Sequence, residues 1–300
     1  MIEDTLVFMR THVITKGVLS EFLKLKKSSG YECILFIDNH KKIVDSPSGI
    51  QKLKLLDYDE EFRCFVFDTD VFKLLNLPLY ANKNKNKSLS NVMWHCADYA
   101  FYVIKKYFPY YNYYWQLDYD VFFNGNSYKE FFIKYENSDA DLIIDRFQKV
   151  GHKSGWTILD KSDWIYKDVI KYKSFFPVSR ISSNAIGFLY LKRLEHKKIF
   201  ADLYKNKENR WINCELFVPT ELSNQGFKCI SIDDQHLRFE PNYDLNEDRI
   251  FEKIDNKIYH PVKGNYENRL NSLKAQIDIF RHHSFSFFGY RVGFFIEKKR

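Results

Sequence analysis

The run Tyr113-Tyr114-Trp115-Gln116-Leu117-Asp118-Tyr119-Asp120-Val121-Phe122-Phe123-Asn124-Gly125 decides the fold. An aromatic, strand-like segment ends in two carboxylates one residue apart, and an Asn-Gly turn signal follows at once. A buried strand that delivers Asp-x-Asp to its C-terminal end is how an open α/β sheet presents oxygen ligands to a divalent metal in the crevice above it. On an extended strand, residues two apart point to the same side, so Asp118 and Asp120 are expected to face one crevice.

Working outward, the preceding chain supplies the rest of such a sheet. Thr5 to Met9 reads as a buried strand ending at Arg10-Thr11-His12, and Val18, Leu19, Phe22, Leu23 and Leu25 fall at near-helical spacing within 17–27. Glu32 to Ile37 is a second apolar strand, so the first forty residues predict a βαβ unit and a parallel sheet. A basic residue and a hydroxyl at the end of the first strand, Arg10 and Thr11, suit a phosphate or nucleotide.

Arg63 to Phe67 reads as a third strand, and it too ends in Asp-x-Asp, at Asp68-Thr69-Asp70. Here helical character continues through Val71 to Leu75, so Asp68 or Thr69 is expected to cap a helix. Residues 81–88 read as a mobile polar loop, and Ser90 to Tyr107 as one helix stopped by Pro109.

Beyond the opening segment, Ala140 to Ile144 predicts a strand ending at Asp145-Arg146. Residues 151–176, rich in Trp, Lys and Tyr, suit an acceptor-binding loop or an ordinary covering layer. Ser182 to Leu191 reads as a short helix or strand. A helix from Asn213 to Asn224 is stopped by Gly226, and Lys228 to Ile232 gives a further strand. His236, then Tyr259-His260-Pro261-Val262-Lys263, then a basic aromatic stretch over 282–300 complete the chain. The last stretch would dock on the protein's own sheet or on an anionic membrane surface.

The totals are consistent with one large α/β domain: 300 residues, 45% of them hydrophobic, are enough to bury a substantial core. The net charge of +7 permits an anionic partner without selecting one. Five scattered cysteines without a C-x-x-C pair argue against a disulfide framework or zinc site and fit a reducing cytosol. Thr5 to Met9 is too short to be the apolar core of a secretory leader, and no run approaches the roughly 20 apolar residues of a membrane span. P-loop, G-x-G-x-x-G and nucleophile-elbow signatures are absent.

With these residues in view, the chain resembles the GT-A type of glycosyltransferase, whose Asp-x-Asp holds a divalent cation against the diphosphate of a nucleotide sugar. It is most similar to a little-characterised family of glycosyltransferase-like proteins spread through fungi and bacteria. These carry a W-H-x-x-D-Y helix and a Y-x-x-Y-W-x-x-E-x-D-V-R strand, here Trp94-His95-Cys96-Ala97-Asp98-Tyr99 and Tyr111 to Val121. The resemblance extends to Arg10-Thr11, Arg180-Ile181-Ser182, Glu215, Pro219-Thr220 and Gly226. Asp118 stands where the relatives often have Glu, and Phe122 replaces their Arg.

The resemblance implies a GT-A Rossmann-like mixed sheet flanked by helices. Its catalytic domain would span 1–235, with a nucleotide-binding half over 1–125 and an acceptor half over 126–235; 236–300 would be an extension that completes the site. It implies a Mn²⁺ or Mg²⁺ ion bound directly by Asp120, with Asp118 contacting the ribose or the metal through water, and His260 as third ligand ahead of His236. Lys263 would neutralise the diphosphate, Arg10 and Thr11 would meet the nucleotide, and Asp98 would bind donor sugar or base. Trp156 or Trp115 would stack on a sugar or base. Glu215, opening a helix, would be the general base of an inverting transfer.

The implied partners are a nucleotide-sugar donor and a glycan or lipid-linked glycan acceptor, with no nucleic acid. The setting would be cytoplasmic, with peripheral membrane contact, in capsule or lipopolysaccharide synthesis. A nucleotidyltransferase or phosphohydrolase would instead need Asp68 or Asp145 to join Asp118 and Asp120. A non-enzymatic basic module for membrane or nucleic acid would need a continuous basic stripe.

Overall fold

The first strand is apolar at every position from Leu6 to Met9, and such a strand is stable only if both faces are covered. In the computed structural model both are. The structure describes residues 4–14, 16–39, 44–45, 48–55, 60–80, 89–151, 159, 161–203, 210–233, 237–239, 254–262 and 293–294.

The chain begins β1 (Thr5–Thr11), α1 (Lys16–Ser28), β2 (Glu32–Asp38), the short β3 (Val44–Asp45), β4 (Gly49–Leu55), β5 (Glu60–Phe67) and α2 (Thr69–Leu74). Two helices follow, α3 (Leu89–His95) and α4 (Asp98–Tyr107), then β6 (Tyr113–Asp118), β7 (Phe122–Asn124), α5 (Lys129–Phe132) and β8 (Leu142–Lys149). The remainder is α6 (Asp163–Tyr166), β9 (Tyr172–Ser182), α7 (Ser183–Leu203), α8 (Cys214–Asn224), β10 (Cys229–Ser231), β11 (Leu237–Phe239), β12 (Lys257–His260) and β13 (Gly293–Phe294).

Eight strands form one mixed sheet in the order β10-β8-β9-β6-β1-β2-β5-β4. Neighbours β6, β1, β2 and β5 run parallel, whereas β9 is antiparallel to both β6 and β8. The expected α/β class and mixed sheet are therefore present. One apolar layer sets α1 and α5 against Val7, Met9, Leu35 and Trp115, and the other sets α4, α7 and α8 against Leu6, Phe8, Ile34 and Tyr114. Phe8, Phe36, Phe65 and Phe67 cross the second layer as a ring ladder, with Phe36 and Phe67 stacked at 4.2 Å. Each fully buried Phe contributes about 1.5–3 kcal/mol of apolar transfer. A smaller sheet, β11-β12-β7, lies beyond the end of β6, and β3 pairs with β13.

Three expectations about elements change. The single helix over 90–107 is two: bonds from Tyr99 N–H to the Cys96 carbonyl (3.0 Å) and from Ala100 N–H to that of Ala97 (3.1 Å) tighten the chain at Cys96-Ala97. The strand expected to stop at Ile144 runs on to Lys149 through an irregular register, with Arg146 at φ 53°. The short element over 182–191 is a 21-residue helix that turns Arg193 and His196 inward, which blurs the apolar period in the sequence. By contrast, Asp68 caps α2 as expected, its carboxylate accepting from Asp70 N–H at 2.8 Å. The loop at 81–88 lies outside the described residues.

Candidate active site

Parallel pairing of β1 with β6 sets Arg10 directly opposite Asp118 at the C-terminal end of the sheet. Their side chains meet in a two-point ion pair, Nε to Oδ1 at 2.9 Å and Nη2 to Oδ2 at 2.8 Å. Arg10 Nη1 donates to the Met93 carbonyl at 2.8 Å, which ties α3 to the sheet. Gln116, two residues back on the same face, donates to Asp118 Oδ1 at 3.2 Å. Burial pushes the Asp118 pKa up more than the Arg10 charge pulls it down.

Three of the expected ligand residues thus have partners within the protein. Arg10 and Gln116 engage both oxygens of Asp118. Arg10 makes the same pair from the neighbouring strand. Thr11 is 1% exposed, and its hydroxyl donates to the Val13 carbonyl while accepting from Val13 N–H, so it closes the turn after β1.

β6 ends at Asp118: Val121 N–H bonds back to the Asp118 carbonyl at 3.0 Å, and the chain turns. Asp120 therefore lies past the strand, although its charge and that of His260 both act on Asp118. The partner of Asp120 comes from far along the chain. β12 pairs antiparallel with β7, and Val262 N–H donates to the Asp120 carbonyl at 2.8 Å. That pairing carries His260 to Asp120, with Nε2 3.2 Å from Oδ1 and each side chain 12% exposed. The His260 ring lies edge-on to Phe175 at 5.4 Å.

Among the described residues no group of three or more His, Cys, Asp or Glu side chains is placed to hold a metal ion. Asp120 and His260 make a two-donor set. Octahedral coordination at about 2.1 Å puts adjacent donors about 3 Å apart, and the 3.2 Å between these atoms fits that spacing. A hard divalent ion held by one or two carboxylates, with substrate phosphates and water filling its other positions, is the usual magnesium arrangement, and Asp120 would be the carboxylate here.

Glu215 sits in the first turn of α8, where Asn213 caps the helix by accepting from Leu216 N–H at 3.1 Å. Asn213 also donates to Glu215 Oε2 at 3.4 Å. That bond and the helix dipole favour the carboxylate, but burial outweighs them and pushes the Glu215 pKa up to about 7. Ser174 Oγ donates to the Glu215 carbonyl at 3.5 Å, one residue from the Phe175 that meets His260.

Asp98, expected to bind the donor sugar or base, has its partners inside the protein. It is fully buried, and its two oxygens accept from Arg193 Nη2 at 2.9 Å and Nε at 2.8 Å, with Tyr102 adding a bond at 2.6 Å. Arg193 Nη1 in turn donates to the Ile212 carbonyl at 2.7 Å, so this pair clamps α4, α7 and the approach to α8 together. Trp115 is 2% exposed among Phe131, Phe132 and Tyr135. Trp156, Lys263 and His236 lie outside the described residues.

The extra carboxylates that a nucleotidyl-transfer site would need do not join the pair. Asp68 caps α2, and Asp145 is buried on β8 with Arg146 at 3.6 Å. Sequence reasoning missed the partners: Arg193 for Asp98, Gln116 for Asp118, and the edge-on contact of His12 with Tyr119 at 4.7 Å beyond the two strand ends. Only Gln116 had a signal, its two-residue spacing from Asp118.

No protein-family profile matches the chain, and no curated protein matches it in sequence. Among solved structures, the chain is similar to mouse xyloside xylosyltransferase 1 in its apo form, with a TM-score of 0.44 and 14% identity over 88% of this chain and 98% of that one.

Proposed function

We propose that the chain is a metal-dependent glycosyltransferase of GT-A type, transferring a sugar from a nucleotide-sugar donor to a glycan or lipid-linked glycan acceptor. The observation that carries this reading is the meeting of Asp120 with His260 at the C-terminal end of the parallel strands, 3.2 Å apart. Crevices at that end of an open α/β sheet are where ligands bind. The motif resemblance around Trp94 and Tyr111 to Val121 adds to it.

Asp120 and His260 would hold the Mn²⁺ or Mg²⁺ ion. When bound, it would supply Lewis-acid compensation for the diphosphate charge as the glycosidic bond breaks. The protein's own residues divide the remaining work. Arg10 holds Asp118 and neutralises it, so the site does not carry two bare carboxylates against an anionic donor. Glu215, about half ionised near neutrality, takes the proton from the acceptor hydroxyl as that oxygen attacks the anomeric carbon. Direct attack inverts the configuration there.

On this reading 1–125 binds the nucleotide, 126–235 the acceptor, and 236–300 supplies His260. A role in bacterial capsule or lipopolysaccharide assembly at the cytoplasmic face of a membrane fits the basic character of the chain. Among the described residues no helix is long and apolar enough to cross a membrane. Incubating the chain with a panel of nucleotide sugars and Mn²⁺ tests the proposal. Donor hydrolysis or transfer with at least one sugar is expected, and neither binding nor hydrolysis across the panel would overturn it.

A further inference from the structure

A second concavity opens at the opposite end of the sheet. Thr5 and Tyr113, which pair at the starts of β1 and β6, line a cleft of about 270 Å³. Five residue-to-residue rises along β6 separate Tyr113 from Asp118, about 17 Å at 3.3–3.4 Å per residue, so this cleft is distinct from the crevice that holds Asp120.

Its walls are rings. Half-buried Tyr31 and Tyr113 stand over a floor of Trp115, Phe132 and Tyr135, with Tyr31 edge-on to Phe132 at 5.4 Å. Arg180, 3% exposed, stacks its guanidinium 4.2 Å from the Tyr113 ring centre. Its terminal nitrogens donate to the carbonyls of Tyr135 (3.0 Å), Ser138 (2.7 Å) and Ala140 (2.9 Å), and its buried Nε has no hydrogen-bond partner among the described residues. The rim carries Asp4, Glu136 and Asp139, of which Asp139 pairs with Lys228.

The chemistry selects a ligand class. An acidic rim around an arginine whose terminal nitrogens are consumed by carbonyls repels phosphates and nucleotides, although the chain as a whole is basic. Aromatic faces beside carboxylate, amide and hydroxyl acceptors suit a neutral polyhydroxylated ring, whose C–H faces pack on Tyr31 and Tyr113 and whose hydroxyls donate to Glu136 and Asp4. The volume is just below the roughly 300–1,000 Å³ of ordinary small-molecule sites, which is room for a single sugar unit of a longer chain.

We propose that this cleft is a non-catalytic saccharide subsite for a neutral glycan. It extends the transferase reading by giving a polymeric acceptor a second hold on the protein. Saturation-transfer NMR on the full chain, with maltotetraose, cellotetraose, xylotetraose and chitotetraose as probes, tests it. At least one tetrasaccharide should give a transfer signal that falls five-fold or more in both Tyr31→Ala and Glu136→Gln. The signal should be unchanged in Asp120→Ala and in the presence of UDP and Mn²⁺. Tyr31 and Glu136 are both half-exposed, so two independent variants guard against a folding loss in one. No signal from any probe with folded wild-type protein, a signal retained in both cleft variants, or a signal lost in Asp120→Ala would overturn the proposal. Donor hydrolysis in wild type with no tetrasaccharide signal would sink the subsite and leave the transferase reading standing.

Discussion

Glu215→Gln isolates one carboxyl whose environment the structure sets, and its effect is measurable without knowing the substrate. In the folded chain the Glu215 proton is held up to about pH 7, whereas the ordinary value is 4.5. The sign follows from linkage: a carboxyl with a raised folded-state pKa favours the folded state fully below the unfolded value and loses that advantage as pH rises through the folded value. Wild-type stability should therefore fall between about pH 4.5 and pH 7 on account of this group. At about 1.4 kcal/mol per pH unit, the interval from 4.5 to about 7 sets a ceiling of about 3.5 kcal/mol, of which about 2.5 kcal/mol develops between pH 5 and pH 8.5. Partial solvent contact lowers the expected value to about 1.5–2.5 kcal/mol. The glutamine variant has no proton to lose, so it should gain that much on wild type as the pH is raised. Urea unfolding of both proteins at pH 5 and pH 8.5 measures the difference, with all other titrations cancelling. An equal stability gap at the two pH values would show that Glu215 is solvated and would remove the physical basis for its role as a base poised near neutrality.

The remaining predictions separate structural carboxylates from working ones. Asp98→Ala strands the fully buried Arg193 and should cost about 3–5 kcal/mol. With about 2.1 cal/mol/K of unfolding entropy per residue over a chain of this length, that lowers Tm by about 5–8 °C in a thermal melt; an unchanged Tm with lost donor binding would restore Asp98 as a ligand residue. Asp68→Ala removes the cap of α2 and should cost about 1 kcal/mol by urea unfolding without altering nucleotide or metal binding. If it abolished metal binding instead, the carboxylate-cluster alternative would return.

The sheet was legible because its central strands carry the plainest signals a sequence has. Leu6 to Met9, Ile34 to Ile37 and Tyr114 to Leu117 are short apolar runs that a parallel sheet buries on both faces. The helix ends of 90–107 and 182–203 were harder to read, because the residues that decide them face inward with charge. Asp98 sits at the break between α3 and α4 to reach Arg193, and Arg193 lies within the helix whose length was underestimated. Each looks like a surface residue until its partner, ninety-five positions away, is known.

The site divided along the same line. The Asp-x-Asp pattern was visible, but its two members have different partners, and no local rule distinguishes them. Arg10 reaches Asp118 because β1 and β6 are parallel neighbours in one register, and Asp120 lies past the end of the strand. His260 was a plausible partner from the resemblance alone; what brings it to Asp120 is the antiparallel pairing of β12 with β7, a contact between segments too far apart in the chain for periodicity to register.

Binding of Mn²⁺ to the chain in the presence of UDP, GDP or CMP, followed by electron paramagnetic resonance, tests the central claim most directly. Nucleotide-dependent Mn²⁺ binding is expected in wild type, weakened at least ten-fold in Asp120→Ala and clearly reduced in His260→Ala. It should be unaltered in Asp70→Ala, whose side chain is exposed and paired with Lys73 at 2.6 Å. Equal Mn²⁺ affinity in wild type and Asp120→Ala would contradict the account.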